Sequence, residues 1–169
     1  MGRTTAYIGI GSNVGDRFAN LQKAIELLAS TPETSVSGVS RVYMTEPVGV
    51  TGQERFFNAV VAIETGLDPV DLRTNCKNIE QQLGRPDLYE RWSPRTIDLD
   101  ILLYGNLIMN SELLVIPHAE LHRRKFVLVP LLDLADPVHP VFNVPVSGLL
   151  NTSGDLSVPI CLSERLVRP

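Results

Sequence analysis

An apolar, β-prone run near the middle of the chain, Thr96-Ile97-Asp98-Leu99-Asp100-Ile101-Leu102-Leu103-Tyr104, carries two carboxylates two residues apart, directly after the loop Arg91-Trp92-Ser93-Pro94-Arg95. Few arrangements tolerate this. Successive side chains of a strand face opposite ways, so Asp98 and Asp100 share one face, roughly 6.5 Å apart, while Ile97, Leu99 and Ile101 pack on the other. Like charges that close repel, and a divalent cation or a shared proton removes the penalty. Oxygen ligands with no Cys or paired His nearby favour Mg²⁺ over Zn²⁺. An isolated Asp-x-Asp also suits a half-solvated strand with its polar face outward. The arginine setting points instead to a metal used with phosphate.

Composition narrows the partners. With 169 residues, 44% hydrophobic and 20% charged, the chain fits one globular domain. Its net charge of −4 argues against general nucleic-acid binding. The positive charge is nevertheless clustered, with Arg85, Arg91 and Arg95 in one stretch and His118, His122, Arg123, Arg124 and Lys125 in another, which suits a small polyanion. Twelve of the fifteen basic residues are Arg, the better bidentate phosphate ligand. Cys76 and Cys161 are far apart in no metal-like spacing, so a reducing, cytoplasmic setting is expected. No secretory or myristoylation signal opens the sequence, and no apolar stretch approaches membrane-spanning length.

The periodicities give an order of elements. Tyr7 to Gly11 reads as a buried strand ending in the turn Ser12-Asn13-Val14-Gly15-Asp16, with Gly11 and Gly15 as turn residues. Phe18, Leu21, Ala24, Ile25 and Leu28 mark a helix capped by Asp16 and ended before Pro32. Val36 to Met44 and Phe57 to Glu64 are the next strands, joined by a glycine-rich loop, Thr45 to Gln53, too long for a tight hairpin. Asp68-Pro69 opens a second helix through Leu72, Cys76, Ile79 and Leu83 to Gly84. Thr96 to Tyr104 is the fourth strand. The order βαββαβ predicts an α+β, ferredoxin-like core, an antiparallel sheet with helices on one face. Pro117 to Val129 and Leu131 to Ala135 read as short helical pieces, and the proline-rich remainder from Pro137 as a C-terminal extension.

Glycines at 9, 11 and 15 miss the dinucleotide spacing by one residue, and no Walker A motif occurs. His118 alone suits an ordinary satisfied histidine, and Trp92 alone suits packing, although a polar loop is a poor place for a core Trp. Phe56 and Phe57 straddle a strand start, so one points inward and the other toward the opposite face.

In combination the chain resembles the 6-hydroxymethyl-7,8-dihydropterin pyrophosphokinases of folate biosynthesis. The resemblance rests on Tyr7-Ile8-Gly9-Ile10-Gly11-Ser12-Asn13, Tyr43-Met44-Thr45-Glu46-Pro47-Val48-Gly49, Phe56-Phe57-Asn58-Ala59, Glu80 with Gly84-Arg85, Arg91 to Tyr104, and Pro117-His118 to Phe126-Val127-Leu128 with Pro130-Leu131. They follow the family's order over residues 5 to 135. The resemblance implies transfer of the β,γ-pyrophosphoryl unit of ATP to the pterin hydroxymethyl group, giving AMP, with two Mg²⁺ ions. It implies one domain over residues 1–169, with its core at about 4–135 and an unassigned tail at 151–169, acting as a cytoplasmic monomer without nucleic acid or membrane.

It also implies roles. Asp98 and Asp100 would hold both metal ions, and together with Arg95 and Arg85 form the catalytic set. Glu80, Arg91, Arg95, Ile101, His118 and Arg124 would contact ATP. Phe56 and Phe126 would sandwich the pterin, Asn58 would hydrogen-bond it, and Thr45, Val48 and Trp92 would complete its site, Trp92 on a loop that closes over it. Asp87, Leu113, Ala119, Lys77 and Leu88 depart from the better-known enterobacterial pattern at the ATP periphery. Two rivals are a different two-metal nucleotidyl transferase on the same fold and a non-catalytic ferredoxin-like binding module. An RNA binder would show aromatics and a basic face where Asp98 and Asp100 stand.

Overall fold

The computed structural model describes residues 2–86, 88 and 90–169. Strand β1 (Thr4–Ser12) buries Ala6, Ile8 and Ile10 on one side. Helix α1 (Arg17–Ala29) follows; the Asp16 carboxylate caps it by accepting the Ala19 N–H at 3.0 Å, and Leu21, Ala24, Ile25 and Leu28 form its buried stripe.

Where the sequence reads as one strand from Val36 to Met44, the structure has two, β2 (Thr34–Val39) and β3 (Tyr43–Thr45). Both pair with β4 (Phe56–Thr65). The break has a local cause. Pairing slips between Val36 and Gly38, and the Ser40 hydroxyl accepts the Val60 N–H at 2.8 Å in place of a strand carbonyl. Helix α2 (Pro69–Gln82) starts with Asp68 accepting from both Val70 and Asp71, and β5 (Asp98–Tyr104) completes the core.

β1 pairs antiparallel with β4 on one side and β5 on the other, giving the split βαβ order of a ferredoxin-like sheet. α1 and α2 cover the face bearing Ile8, Ile10, Val61, Ile63, Leu99 and Ile101.

Helices are not confined to that face. After the hairpin of β6 (Met109–Asn110) and β7 (Val115–Ile116), and a 3₁₀ turn at Leu121–Arg123, helix α3 (Lys125–Leu132) absorbs Pro130 as one element where two pieces were expected. A second hairpin, β8 (Val138–His139) and β9 (Val144–Pro145), leads to α4 (Val146–Thr152). α3 and α4 bury Leu128, Leu131, Val146 and Leu149 against Val60 and Leu102 on the opposite face. The tail is part of the sheet, because β10 (Ile160–Cys161) pairs with β3. Among the described residues no helix is long and apolar enough to cross a membrane.

Candidate active site

α3 covers only part of its face, and the uncovered part is a cleft floored by β1, β4 and β5. Asp98 and Asp100 both line it, opposite Gly11 and Gly9 of β1. Gly11 is a strand residue and not the turn residue its sequence suggests: a Cβ there would lie 2.9 Å from Asn58 Oδ1, so only hydrogen allows the amide to stand over the strand. Gly15, at φ +69°, is the turn glycine.

The two carboxylates have opposite electrostatics. Asp98 receives Arg85 Nη1 on Oδ1 and Arg95 Nη1 on Oδ2, the latter at 3.1 Å. Burial opposes its ionisation, but the two guanidinium groups outweigh burial and hold its carboxyl below the usual range. For Asp100, burial first and then the Asp98 charge push the carboxyl up to about 6.

Behind them lies a buried ion chain. Glu80 accepts the Leu99 N–H at 2.8 Å, Lys77 Nζ at 2.9 Å and Arg85 Nη1 at 3.0 Å, joining α2 to β5. Burial raises its carboxyl pKa, against the pull of the Leu99 N–H and Lys77. Arg95 Nε is buried with no partner among the described residues, a donor left for a ligand at the cleft wall.

The walls are aromatic and amide-bearing. Phe56 and Phe126 line the cleft, while Phe57 turns to the α1 side, where Arg17 sits 4.0 Å from its ring, so the two faces divide as expected. Asn58 Nδ2 donates to Thr45 Oγ1 at 2.7 Å. Val48 and Trp92 reach the cleft from two loops, both exposed. Gln53 ties the loops together, donating to the Trp92 carbonyl at 2.7 Å and accepting from Asn13 at 3.0 Å. Trp92 has φ +69°, a conformation costly for a residue with a Cβ. Asn13 also accepts the Arg95 N–H at 2.7 Å and donates to its carbonyl at 3.0 Å. Sequence reasoning treated Asn13 as a turn residue and missed Gln53; only the Gly11-Ser12-Asn13 segment carried a signal.

A second cavity adjoins the first and shares Asp100 and His118 with it. It is lined by Arg73, Cys76, Lys77, Ile101, Leu113, Leu114, Val115 and Ala119. His118 is held neutral by burial and by Arg124, and its Nδ1 accepts the Glu120 N–H at 3.1 Å, leaving Nε2 to donate.

Of the residues singled out in the sequence, Thr45, Val48, Phe56, Asn58, Trp92, Arg95, Asp98, Asp100, His118, Arg124 and Phe126 line the first cleft. Ile101 lines the second, with Lys77, Leu113 and Ala119. Glu80 and Arg85 are buried supports behind Asp98. Arg91 is exposed, its guanidinium 5.2 Å from the Trp92 ring, and lines neither cavity. Leu88 is exposed, and Asp87 lies outside the described residues. Among the described residues no group of three or more His, Cys, Asp or Glu could cage a metal. The donor set is the Asp pair, which fits a hard cation completing its shell with oxygens of a ligand or water.

Comparison with known proteins agrees with this geometry. A sequence model described as 7,8-dihydro-6-hydroxymethylpterin-pyrophosphokinase matches residues 7–136. The 2-amino-4-hydroxy-6-hydroxymethyldihydropteridine pyrophosphokinase of Methylorubrum extorquens is 48% identical over 132 residues, 78% of this chain and 83% of that one. The enzyme of the same name from Bacillus subtilis is 43% identical over 133 residues, 79% of each. The folic acid synthesis protein fol1 of Schizosaccharomyces pombe is 43% identical over 86% of this chain, but this chain spans only 20% of its length. Among solved structures, an HPPK-DHPS in complex with substrates superposes with a TM-score of 0.71 at 15% identity, over 90% of this chain and 43% of that one. Wild-type Plasmodium falciparum HPPK-DHPS with pteroate gives 0.69 at 16% identity, over 89% and 42%. The structural likeness carries the fold, and the sequence matches carry the lineage: the chain belongs to the 7,8-dihydro-6-hydroxymethylpterin-pyrophosphokinase family.

Proposed function

We propose that this chain transfers the β,γ-pyrophosphoryl group of ATP to the hydroxymethyl group of 6-hydroxymethyl-7,8-dihydropterin, releasing AMP, in folate biosynthesis. The observation that carries the reading is the meeting of two cavities at Asp100 and His118, one aromatic and amide-lined, the other largely apolar with lysine and arginine at its wall. The first suits a flat, polar heterocycle stacked between Phe56 and Phe126, its edge facing Asn58. The second suits ATP, whose base would lie against Ile101, Leu114 and Ala119 and whose phosphates would extend toward the carboxylates.

In this reading Arg95 and Arg124 receive phosphate oxygens, with the unpartnered Arg95 Nε as one donor, and His118 donates through Nε2. Arg85 acts one step back, fixing Asp98, and Glu80 fixes Arg85. Arg91, in the Trp92 loop, reaches the triphosphate only if that loop closes. Two Mg²⁺ ions would be held by Asp98 and Asp100, each Asp98 oxygen keeping a lone pair beyond its arginine bond. Bound there, they would neutralise the triphosphate and acidify the attacking hydroxyl. Positioning by these side chains brings the hydroxyl oxygen in line with the β-phosphorus as AMP departs. We propose a single-domain monomer acting in the cytoplasm, consistent with two unpaired cysteines.

The test is the nucleotide product formed from ATP, Mg²⁺ and 6-hydroxymethyl-7,8-dihydropterin. AMP with a pyrophosphorylated pterin is expected. ADP, or no turnover, would overturn the assignment.

A further inference from the structure

The C-terminal segment beyond α4 has no sequence signal, yet it is bonded to both sides of the aromatic cleft. Asp155 stands at the first of these contacts. Its Oδ2 accepts the backbone N–H of Lys125, the first residue of α3, at 2.9 Å, and its Oδ1 accepts the Ser157 N–H at 2.8 Å. The Lys125 ammonium in turn reaches the Ser157 carbonyl at 3.3 Å. Helix α3 needs such a partner, because Arg124, at its N-cap position, gives no side-chain cap. Asp155 therefore caps α3 from thirty residues downstream.

The position of that cap matters. Lys125 lies between Arg124 and Phe126, which both line the cleft and whose guanidinium and ring lie 5.7 Å apart. Fixing the Lys125 backbone fixes the origin of both side chains. The segment then continues as β10 along β3, with the Leu162 N–H on the Val42 carbonyl, beside Thr45 on the opposite wall. It then reaches α1, where Gln22 and Val167 exchange two hydrogen bonds of 2.8 and 3.0 Å, and β2, where Arg168 donates to the Ser37 carbonyl at 2.9 Å. The Asp155 carboxyl is held below its usual range: burial opposes this, and the hydrogen bonds from Ser157 and Lys125 outweigh it, as expected for an ionised cap.

We propose that Asp155 is a positioning residue for the pterin wall, acting through the first turn of α3 to set Phe126 and Arg124. This rests on the pyrophosphokinase reading. A small displacement of a stacking ring is felt most in the affinity for the stacked substrate, whereas ATP feels it only through Arg124, because the second cavity draws nothing from α3.

The experiment compares the full-length protein with Asp155→Ala and Asp155→Asn in steady-state turnover of ATP and 6-hydroxymethyl-7,8-dihydropterin. Asp155→Ala should raise the KM for the pterin about tenfold, the size of a lost cap, while the KM for ATP, which feels the cap only through Arg124 among several phosphate ligands, rises less, by no more than about threefold. Asp155→Asn, which keeps one acceptor oxygen, should recover most of the loss, to about threefold. Equal effects on both substrates, or parameters unchanged from the parent, would overturn the inference. Should the alanine variant not fold, the asparagine variant decides: a pterin-selective rise of about threefold is expected, and no selective rise contradicts it. If the parent protein itself gives no AMP, the functional reading fails and not the role of Asp155 alone.

Discussion

Asp98 and Asp100 stand two residues apart on one face of β5, and their charges are governed oppositely: two arginines bind the oxygens of Asp98, while Asp100 is half-buried beside its negative charge. One carboxylate is thereby fixed as ionised, and the other is poised to take up either a cation or a proton.

The pH dependence of stability follows from Asp100. Its folded pKa of about 6 lies above the ordinary aspartate value, so its stabilising share is complete at acid pH and is lost as pH rises through about 6. In the metal-free protein Asp100→Asn should therefore raise Tm by about 4 °C at pH 8 and change it little at pH 4. Mg²⁺ should raise Tm in the parent at pH 8 and not in this variant. Thermal unfolding at both pH values checks the sign.

Gly11 tests how closely β1 must approach Asn58. Because an added methyl group would meet Asn58 Oδ1 at 2.9 Å, Gly11→Ala should displace the amide and weaken pterin binding about tenfold, at a stability cost of about 1–2 kcal/mol. Calorimetric titration with the pterin, alongside denaturant unfolding, separates the two effects. Unchanged pterin affinity would remove Asn58 from the pterin site.

Gln53 links the two loops that flank the cleft and bonds the carbonyl of Trp92, whose backbone is strained. Gln53→Ala should lower kcat/KM for the pterin about fivefold while leaving Tm within about 2 °C, since one lost bond is exposed, the other only half-buried, and net hydrogen bonds of this kind are worth about 1 kcal/mol. Tryptophan fluorescence should report a more mobile Trp92, the one Trp in the chain.

The core of the fold was legible because it is local. Alternating residues around Asp98 and Asp100 fix the faces of β5, and Asp16 and Asp68 announce their helices with caps that the structure retains. The break between β2 and β3 was not legible, since it depends on Ser40 meeting Val60 across the sheet. Nor were Asn13 and Gln53, polar loop residues whose partners Arg95 and Trp92 lie far along the chain. β10 is two residues long and takes its strand character wholly from pairing with β3. For the site, the cleft residues read from sequence do come together, whereas Arg91 lies outside both cavities because its loop leaves it exposed against Trp92.

The central claim is that the acceptor oxygen attacks the β-phosphorus of ATP and not the γ-phosphorus. ATP labelled with ³²P at the β position alone, incubated with Mg²⁺ and 6-hydroxymethyl-7,8-dihydropterin, separates the two directly. Label recovered in the pterin product with unlabelled AMP is the predicted result; label retained in ADP would contradict it.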